Sequence, residues 1–286
     1  MPDIHDKKVR QLEKIANAIR QDIVTMLLAA GSGHTAGPLG LADIFAALYF
    51  HVLHHRPQQP NWPERDWLIL SAGHLCPVRY AAMAQAGYFP KKELLTLRKL
   101  GTRLQGHPER LRLPGAETTS GPLGDGLGQA CGIAYGLLLD NKKSRVYCVM
   151  SDGEQDCGVI WEAAMFAGKY KLRNLTAIID RNNIQISGMT EDVMPLESLV
   201  EKYKAFNWHV IEINGHNIEE FVDACEEAKT MYTKPTVIIA NTIPGRGVPE
   251  IEFDYTWHGK PPSAAEAKRF LADLRTIGGK ISSEHE

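Results

Sequence analysis

The chain lacks several features that would class it by composition alone. No sign of charge dominates: 32 Lys and Arg against 34 Asp and Glu leave a formal charge of −2. That balance gives no electrostatic case for nucleic acid or an anionic membrane, so any anion binding must be local. Cysteine is scarce and scattered, at Cys76, Cys131, Cys148, Cys157 and Cys225, with no CxxC pair. Neither a disulfide framework nor a zinc site is indicated, and buried free thiols are expected. Apolar runs such as Ile23 to Ala30 fall far short of the roughly 20 residues of a spanning helix. The first residues, MPDIHDKKVRQLEKIANAIR, are charged and amphipathic, without the basic-then-apolar order of a secretory signal. A soluble, cytoplasmic protein is expected. Internal repeats, low-complexity tracts and composition shifts are also absent. One large domain over 1–286 is therefore expected, with a helical extension over about 6–60 and a C-terminal loop and helix over about 242–286.

What is present is alternation. Leu12, Ile15, Ala16, Ile19, Ile23, Met26 and Leu27 recur at helical spacing and predict a long amphipathic helix over 6–30. Gly31 and Gly33 end it, and the turn from Gly31 to Gly40 delivers His34 ahead of a second helix over 41–53. A proline-rich connector over 56–63 leads to Asp66–Ser71, whose continuous apolar run predicts a buried parallel strand with His74 just past its end. Helices are expected over 77–86 and 91–100, then a loop from 101 to 126 that is too long to be only a connector. It holds Gly106-His107-Pro108-Glu109 and a glycine-bearing run, Thr118 to Gly126, which permits close backbone approach to a ligand. A helix over 127–139 carries the small residues Ala130, Gly132, Ala134 and Gly136. Further strands begin near 146, 175, 209 and 236, with helices over 196–206, 218–230 and 264–274. This pattern is an α/β fold, a doubly wound and mainly parallel sheet with helices on both faces.

The polar residues gather where such a sheet binds ligands, beyond the carboxyl ends of its strands. Val146–Met150 runs into Ser151-Asp152-Gly153, and Leu175–Ile179 runs into Asp180-Arg181-Asn182-Asn183. The gap of 182 − 152 = 30 positions holds one crossover helix, and a right-handed crossover returns both strand ends to one edge. A carboxylate and an amide oxygen there suit Mg²⁺, which takes one or two protein oxygens and completes its shell with phosphate. His34, His74 and His258, with His107 on the long loop, are imidazoles able to hydrogen-bond phosphate or hydroxyl groups and to move protons. Each piece also has an ordinary reading: Asp152-Gly153 and Asn182-Asn183 as strand-end turns, and His34 as a solvated loop residue.

In combination the pieces are more specific. Asp152-Gly153 followed after that gap by Asn182 resembles the thiamine-diphosphate fingerprint. Around it, Ser32-Gly-His34 with Gly37-Pro-Leu-Gly40, Leu70-Ser-Ala-Gly-His74, Gly106-His-Pro-Glu109, Thr118 to Gly126, and Trp257-His258-Gly259 resemble the amino-terminal half of transketolase, in that family's order over nearly the whole length. The resemblance implies that Asp152, Asn182 and the main-chain oxygen of Ile184 bind Mg²⁺ (or Ca²⁺ or Mn²⁺ as a substitute) bridging the diphosphate of thiamine diphosphate. It implies diphosphate contacts from Gly153, Asn182, His74 and His258, and backbone contacts from Gly121, Pro122 and Leu123 to the aminopyrimidine. His34, His107 and His258 would surround the reacting carbon and the sugar hydroxyls as catalytic and substrate-binding groups. The reaction implied is transfer of a two-carbon unit from a ketose to an aldose, either of them a sugar or sugar phosphate.

In that family a pyrimidine-binding domain supplies the glutamate that activates the cofactor. The sequence stops at Glu286 after the first domain, so the resemblance implies a separate C-terminal transketolase subunit as partner, in an assembly with two copies of each chain. Two departures stand out. Ser151 replaces the first glycine of the fingerprint. Asp156-Cys157 stands where the family has a glutamate at the position of Cys157, while Glu162 keeps a second glutamate of the subunit contact. The rival readings are another thiamine-diphosphate enzyme such as 1-deoxyxylulose-5-phosphate synthase, a non-catalytic binding relative, and a nucleotide-binding dehydrogenase. The last is disfavoured because no GxGxxG follows a strand.

Overall fold

A computed structural model describes residues 6–276. Helix α1 (Asp6–Ala30) follows the predicted periodicity, burying Leu12, Ala16, Ile19, Ile23 and Leu27. Beyond it the Gly37-Pro-Leu-Gly40 stretch, expected as a turn, is the short helix α2 (Ala36–Gly40). Pro38 is tolerated there because the first turn of a helix needs no N–H from it. The expected helix over 41–53 is α3 (Ala42–Ala47) followed by a π-helical turn over Leu48–Val52. Strand β1 (Trp67–Leu70) and helix α4 (Cys76–Gln85) come next. The helix expected over 91–100 is a 3₁₀ segment ending at Thr96, and the chain from there to α5 (Asp125–Leu139) is irregular.

The predicted crossover follows as β2 (Val146–Ser151), α6 (Gly158–Tyr170) and β3 (Leu175–Arg181). A two-stranded hairpin of β4 (Ile184–Gln185) and β5 (Gly188–Met189) leads to α7 (Thr190–Val193). Then come α8 (Leu199–Ala205), β6 (His209–Asn214), α9 (Ile218–Thr230), β7 (Thr236–Asn241) and α10 (Ala264–Thr276). Helix α8 begins three residues later than the sequence pattern suggested, behind a Ser198 cap that accepts the Glu201 N–H.

The five long strands form one parallel sheet in the order β1-β2-β3-β7-β6. Both faces of its central strands are covered. Tyr147, Val149, Ile178 and Ile238 pack with α1, α3, α4, α9 and α10, while Cys148, Met150, Ala177, Ile179 and Val237 pack with α5, α6 and α8. Burial on both faces is why these strands read as continuous apolar runs rather than as alternation. The chain adds strands in one direction through β3, then jumps to β6 and returns to β7 beside β3. The carboxyl ends of these parallel strands share one edge of the sheet, the usual ligand position in such folds. All five cysteines are free thiols. Among the described residues no helix is long and apolar enough to cross a membrane.

Candidate functional site

At this carboxyl edge lies a cleft of about 340 Å³. His34, His74, His107 and His258 line it together with Gly121, Leu123, Gly153, Asn182 and Ile184. The ring centres of His34, His74 and His258 form a triangle with sides of 4.9, 5.0 and 5.3 Å. Three segments far apart in sequence deliver them: the turn before α2, the turn after β1, and the loop after β7. His107 comes from the long irregular segment and packs on Gly73, where an added Cβ would fall 2.9 Å from its ring. His34 is not the solvated loop residue of the ordinary reading, since its Nδ1 is buried and has no hydrogen-bond partner.

Burial governs the protonation of these rings. Desolvation first, then the neighbouring His258, His107 and Arg98, lowers the pKa of His34 to about 4. His74 is held well below its ordinary value by burial and then by His34, His258 and His107. Burial lowers His258, and burial followed by Arg98 lowers His107. All four are therefore neutral at pH 7, each with one donor and one acceptor nitrogen.

Asp152, directly after β2, is fully buried between Ser151 and Gly153, which line the cleft. Its Oδ1 accepts the Gly153 N–H at 2.7 Å, and its Oδ2 accepts the Asn183 N–H at 2.6 Å and Arg181 Nη1 at 3.2 Å. The crossover has thus brought the two turns together, as the spacing predicted. Asn182 donates Nδ2 to Asp180 at 2.7 Å, and its Oδ1 accepts the Ile184 N–H at 3.0 Å. Burial raises Asp152 to about 6 against the lowering influence of Asn183 and Arg181, and it raises Asp180 to about 7. Two buried carboxylates pushed upward in this way are suited to a cation that would compensate their charge. Among the described residues no three His, Cys, Asp or Glu side chains gather as a metal site. A metal at Asp152 would need amide and main-chain oxygens, which are the hard donors Mg²⁺ accepts.

Sequence reasoning missed the residue that assembles the wall. Glu154 is fully buried and bonds Ser71 Oγ, the Gly124 N–H at 2.6 Å and the Ser151 N–H at 3.1 Å. It ties the ends of β1 and β2 to the 118–126 loop and so sets Gly121 and Leu123 on the cleft. Pro122, between them, is exposed and outside the lining. Gly124 adopts a φ of +90°, and a Cβ there would collide with Val159 at 2.5 Å, so the turn requires glycine. Ser151, despite replacing a glycine, needs no positive φ because it completes the regular pairing of β2 with β3. Asp156 accepts a bond from Gln185 Nε2 at 2.9 Å. Cys157 caps α6 beside Gly124, whose added Cβ would lie 3.0 Å from the Cys157 Cβ. Glu162 lies exposed on α6, outside the cleft.

The family model described as transketolase, thiamine diphosphate binding domain, matches residues 11–276. The chain is 42% identical over 267 residues to the 6-deoxy-6-sulfo-D-fructose transketolase subunit SqwG of Clostridium sp. (strain MSTE9), covering 93% of this chain and 97% of that subunit. It is 41% identical to the transketolase of Rattus norvegicus over 273 residues, which are 94% of this chain and 42% of that protein. Among solved structures, transketolase from Leishmania mexicana matches with a TM-score of 0.87 at 32% identity, covering 93% of this chain and 44% of that one. The Pichia stipitis transketolase complex with sedoheptulose-7-phosphate matches with a TM-score of 0.88 at 33% identity, covering 96% and 42%. The chain thus spans less than half the length of these full transketolases and nearly all of the separate Clostridium subunit.

Proposed function

Because the chain belongs to the transketolase family, within its thiamine diphosphate-binding domain, we propose that it is the diphosphate-binding subunit of a two-chain transketolase. The observation that carries this reading is the cleft itself, in which three neutral imidazoles within 4.9–5.3 Å of one another share a wall with the Asp152–Asn182 turns. We read the described length as one thiamine-diphosphate domain. Asp152, Asn182 and the Ile184 carbonyl oxygen would hold Mg²⁺, and Gly153, Asn182, His74 and His258 would hold the diphosphate. Gly121, Pro122 and Leu123 would offer backbone groups to the aminopyrimidine. The unpartnered Nδ1 of His34 fits a polar ligand, and the carboxyls of Asp152 and Asp180, pushed upward by burial, fit a cation that would favour their charged form.

When bound, thiamine diphosphate supplies the carbanion chemistry that opens the C2–C3 bond of a ketose. The chain's own part is to bind, orient and move protons. His34, His107 and His258, neutral at pH 7, can accept a hydroxyl proton from a sugar and return it. The buried floor of Asp152 and Glu154 excludes water from the diphosphate end. Activation of the pyrimidine falls to a partner chain carrying the pyrimidine-binding domain, in a proposed assembly of two copies of each. Free thiols throughout support a reducing, cytoplasmic setting. The donor is a ketose or its phosphate. The sulfonated ketose in the Clostridium subunit's name is a second candidate, and turnover of fructose 6-phosphate against 6-deoxy-6-sulfo-D-fructose separates them.

The test is calorimetric titration of the two-chain complex with thiamine diphosphate and Mg²⁺. Asp152→Ala should abolish metal-dependent binding in a chain that still folds by circular dichroism, with a lower melting temperature because Arg181 and the Asn183 N–H lose a buried partner. Unchanged affinity overturns the assignment, as would full turnover by this chain without a partner.

A further inference from the structure

The β4–β5 hairpin also lines the cleft, contributing Ile184, Gln185 and Ile186. The two ends of this hairpin are fastened to one another and to Asp152. At its start, the Asn183 N–H donates to Asp152 Oδ2 at 2.6 Å. At its end, the Thr190 N–H donates to the Asn183 carbonyl at 2.9 Å. Arg181, the last residue of β3 and 4% exposed, closes the remaining side. Its Nη1 donates to Asp152 Oδ2 at 3.2 Å and to Thr190 Oγ1 at 2.8 Å. Its Nη2 donates to Glu191 Oε1 at 2.7 Å and to Glu197 Oε1 at 2.9 Å. Glu191 in turn accepts the Leu196 N–H at 3.2 Å, which folds the 190–197 strap back on itself.

One guanidinium therefore joins a buried carboxylate at the floor of the cleft to two carboxylates on a surface strap, with side-chain exposures of 40% and 57%. An exposed ion pair contributes little by itself. These acids share a fork whose other prong is committed to a fully buried partner, so the geometry of the strap and that of Asp152 cannot vary independently.

We propose that Arg181 is a positioning residue that clamps the base of the β4–β5 hairpin, making the aim of Asp152 and closure of the 190–197 strap one coupled event. The inference rests on the reading of Asp152 as a ligand of a metal-bound diphosphate. Linkage then runs both ways: whatever binds at Asp152 tightens the strap, and whatever loosens the strap weakens binding at Asp152.

The experiment uses the two-chain complex, thiamine diphosphate with Mg²⁺, and a glutamate-specific protease that cuts after Glu191 and Glu197. In the wild type, cofactor and metal should slow cleavage at these two sites. Arg181→Met should be cleaved faster, should lose most of the protection by cofactor, and should bind thiamine diphosphate at least about tenfold more weakly by calorimetry, the usual scale for losing an outer partner of a ligand. Its KM for the cofactor should rise while kcat at saturating cofactor stays within about threefold, since the clamp sets binding rather than chemistry. Arg181→Lys, which restores the charge but not the fork, should recover part of the affinity and guards against an unfolded methionine variant. Wild-type affinity in both variants overturns the clamp, as does strap cleavage that cofactor leaves unchanged in the wild type. Failure of the wild-type complex to bind thiamine diphosphate at all instead overturns the ligand reading, and the clamp with it.

Discussion

Each imidazole of the cleft is held in a form that favours losing its proton, and His34 shows what this implies for pH. Its folded pKa is about 4 against 6.5 for the free side chain. Between those values the unfolded chain binds a proton that the folded chain does not, so the contribution of His34 to stability is complete above pH 6.5 and declines as pH falls toward about 4. Asp152 and Asp180, raised to about 6 and about 7, act in the opposite sense, since the folded chain holds their protons more tightly. The two effects are separated by comparing variants. The stability advantage of the wild type over His34→Gln, from urea unfolding, should be greater at pH 7 than at pH 5. An imidazole signal of His34 titrating near pH 6.5 would contradict the desolvated setting. Both nitrogens would then be donors throughout the weakly acidic range, and proton acceptance from a hydroxyl would be lost there.

Several elements that carry cleft residues are joined through a buried knot centred on Asp43. Arg20 of α1, fully buried, donates to Asp43 of α3 through Nη1 at 3.1 Å and Nη2 at 2.5 Å, and through Nε to the Leu39 carbonyl at 3.1 Å. Asp43 Oδ2 also accepts His216 Nδ1 at 2.8 Å, and His216 Nε2 accepts the Ile243 N–H at 2.7 Å. Asp43 thereby links α1, α3, the turn after β6, and the segment after β7 that leads to His258. That segment is fixed again where the Gly245 N–H meets the Ala36 carbonyl at 2.9 Å. Asp43→Ala should cost about 3–5 kcal/mol in chemical unfolding, because it leaves a buried guanidinium without its counter-charge. A loss below about 1 kcal/mol, the scale of an exposed pair, would mean that the knot is solvated.

For the whole molecule the informative surface is the outer side of α5 and α6. Gly128, Gly132 and Gly136 recur at one-turn spacing, and a Cβ added at any of them would meet nothing within 4 Å. Beside them Leu139, Met165, Phe166 and Tyr170 are exposed, and the rings of Phe166 and Tyr170 meet tilted at 43° with centres 4.5 Å apart. Glycine in a helix interior costs about 1 kcal/mol relative to alanine. We propose this smooth, apolar face, which spans α5 and α6 and includes exposed Glu162 of α6, as the contact between two copies of this chain. Gly132→Arg should therefore leave the melting temperature of the separate chain unchanged or higher. In light scattering it should reduce the complex from four chains to two. A four-chain mass in the variant would move the contact elsewhere.

The sequence by itself determined the sheet and the meeting of its turns. The two-face burial of β2 and β3 is written as unbroken apolar runs, and the 30-position gap from Asp152 to Asn182 fixes one right-handed crossover. Helix α1 was legible because its apolar stripe runs unbroken from Leu12 to Leu27, about four turns. Local irregularity was not: α2 hides in a glycine–proline stretch that reads as a turn, and the 3₁₀ segment ends at Thr96 although the polar–apolar pattern continues. The histidines were legible as candidates, but their triangle was not, since three loops from different strands must converge before any pair of rings comes within 5.3 Å. Glu154 and Arg181 carried no signal at all, each being one charged residue beside a conspicuous motif. Only the tertiary structure decided what they do, because burying a charge forces it to find partners, and those partners, Ser71 and Gly124 for one, Asp152, Glu191 and Glu197 for the other, lie on segments that periodicity cannot connect.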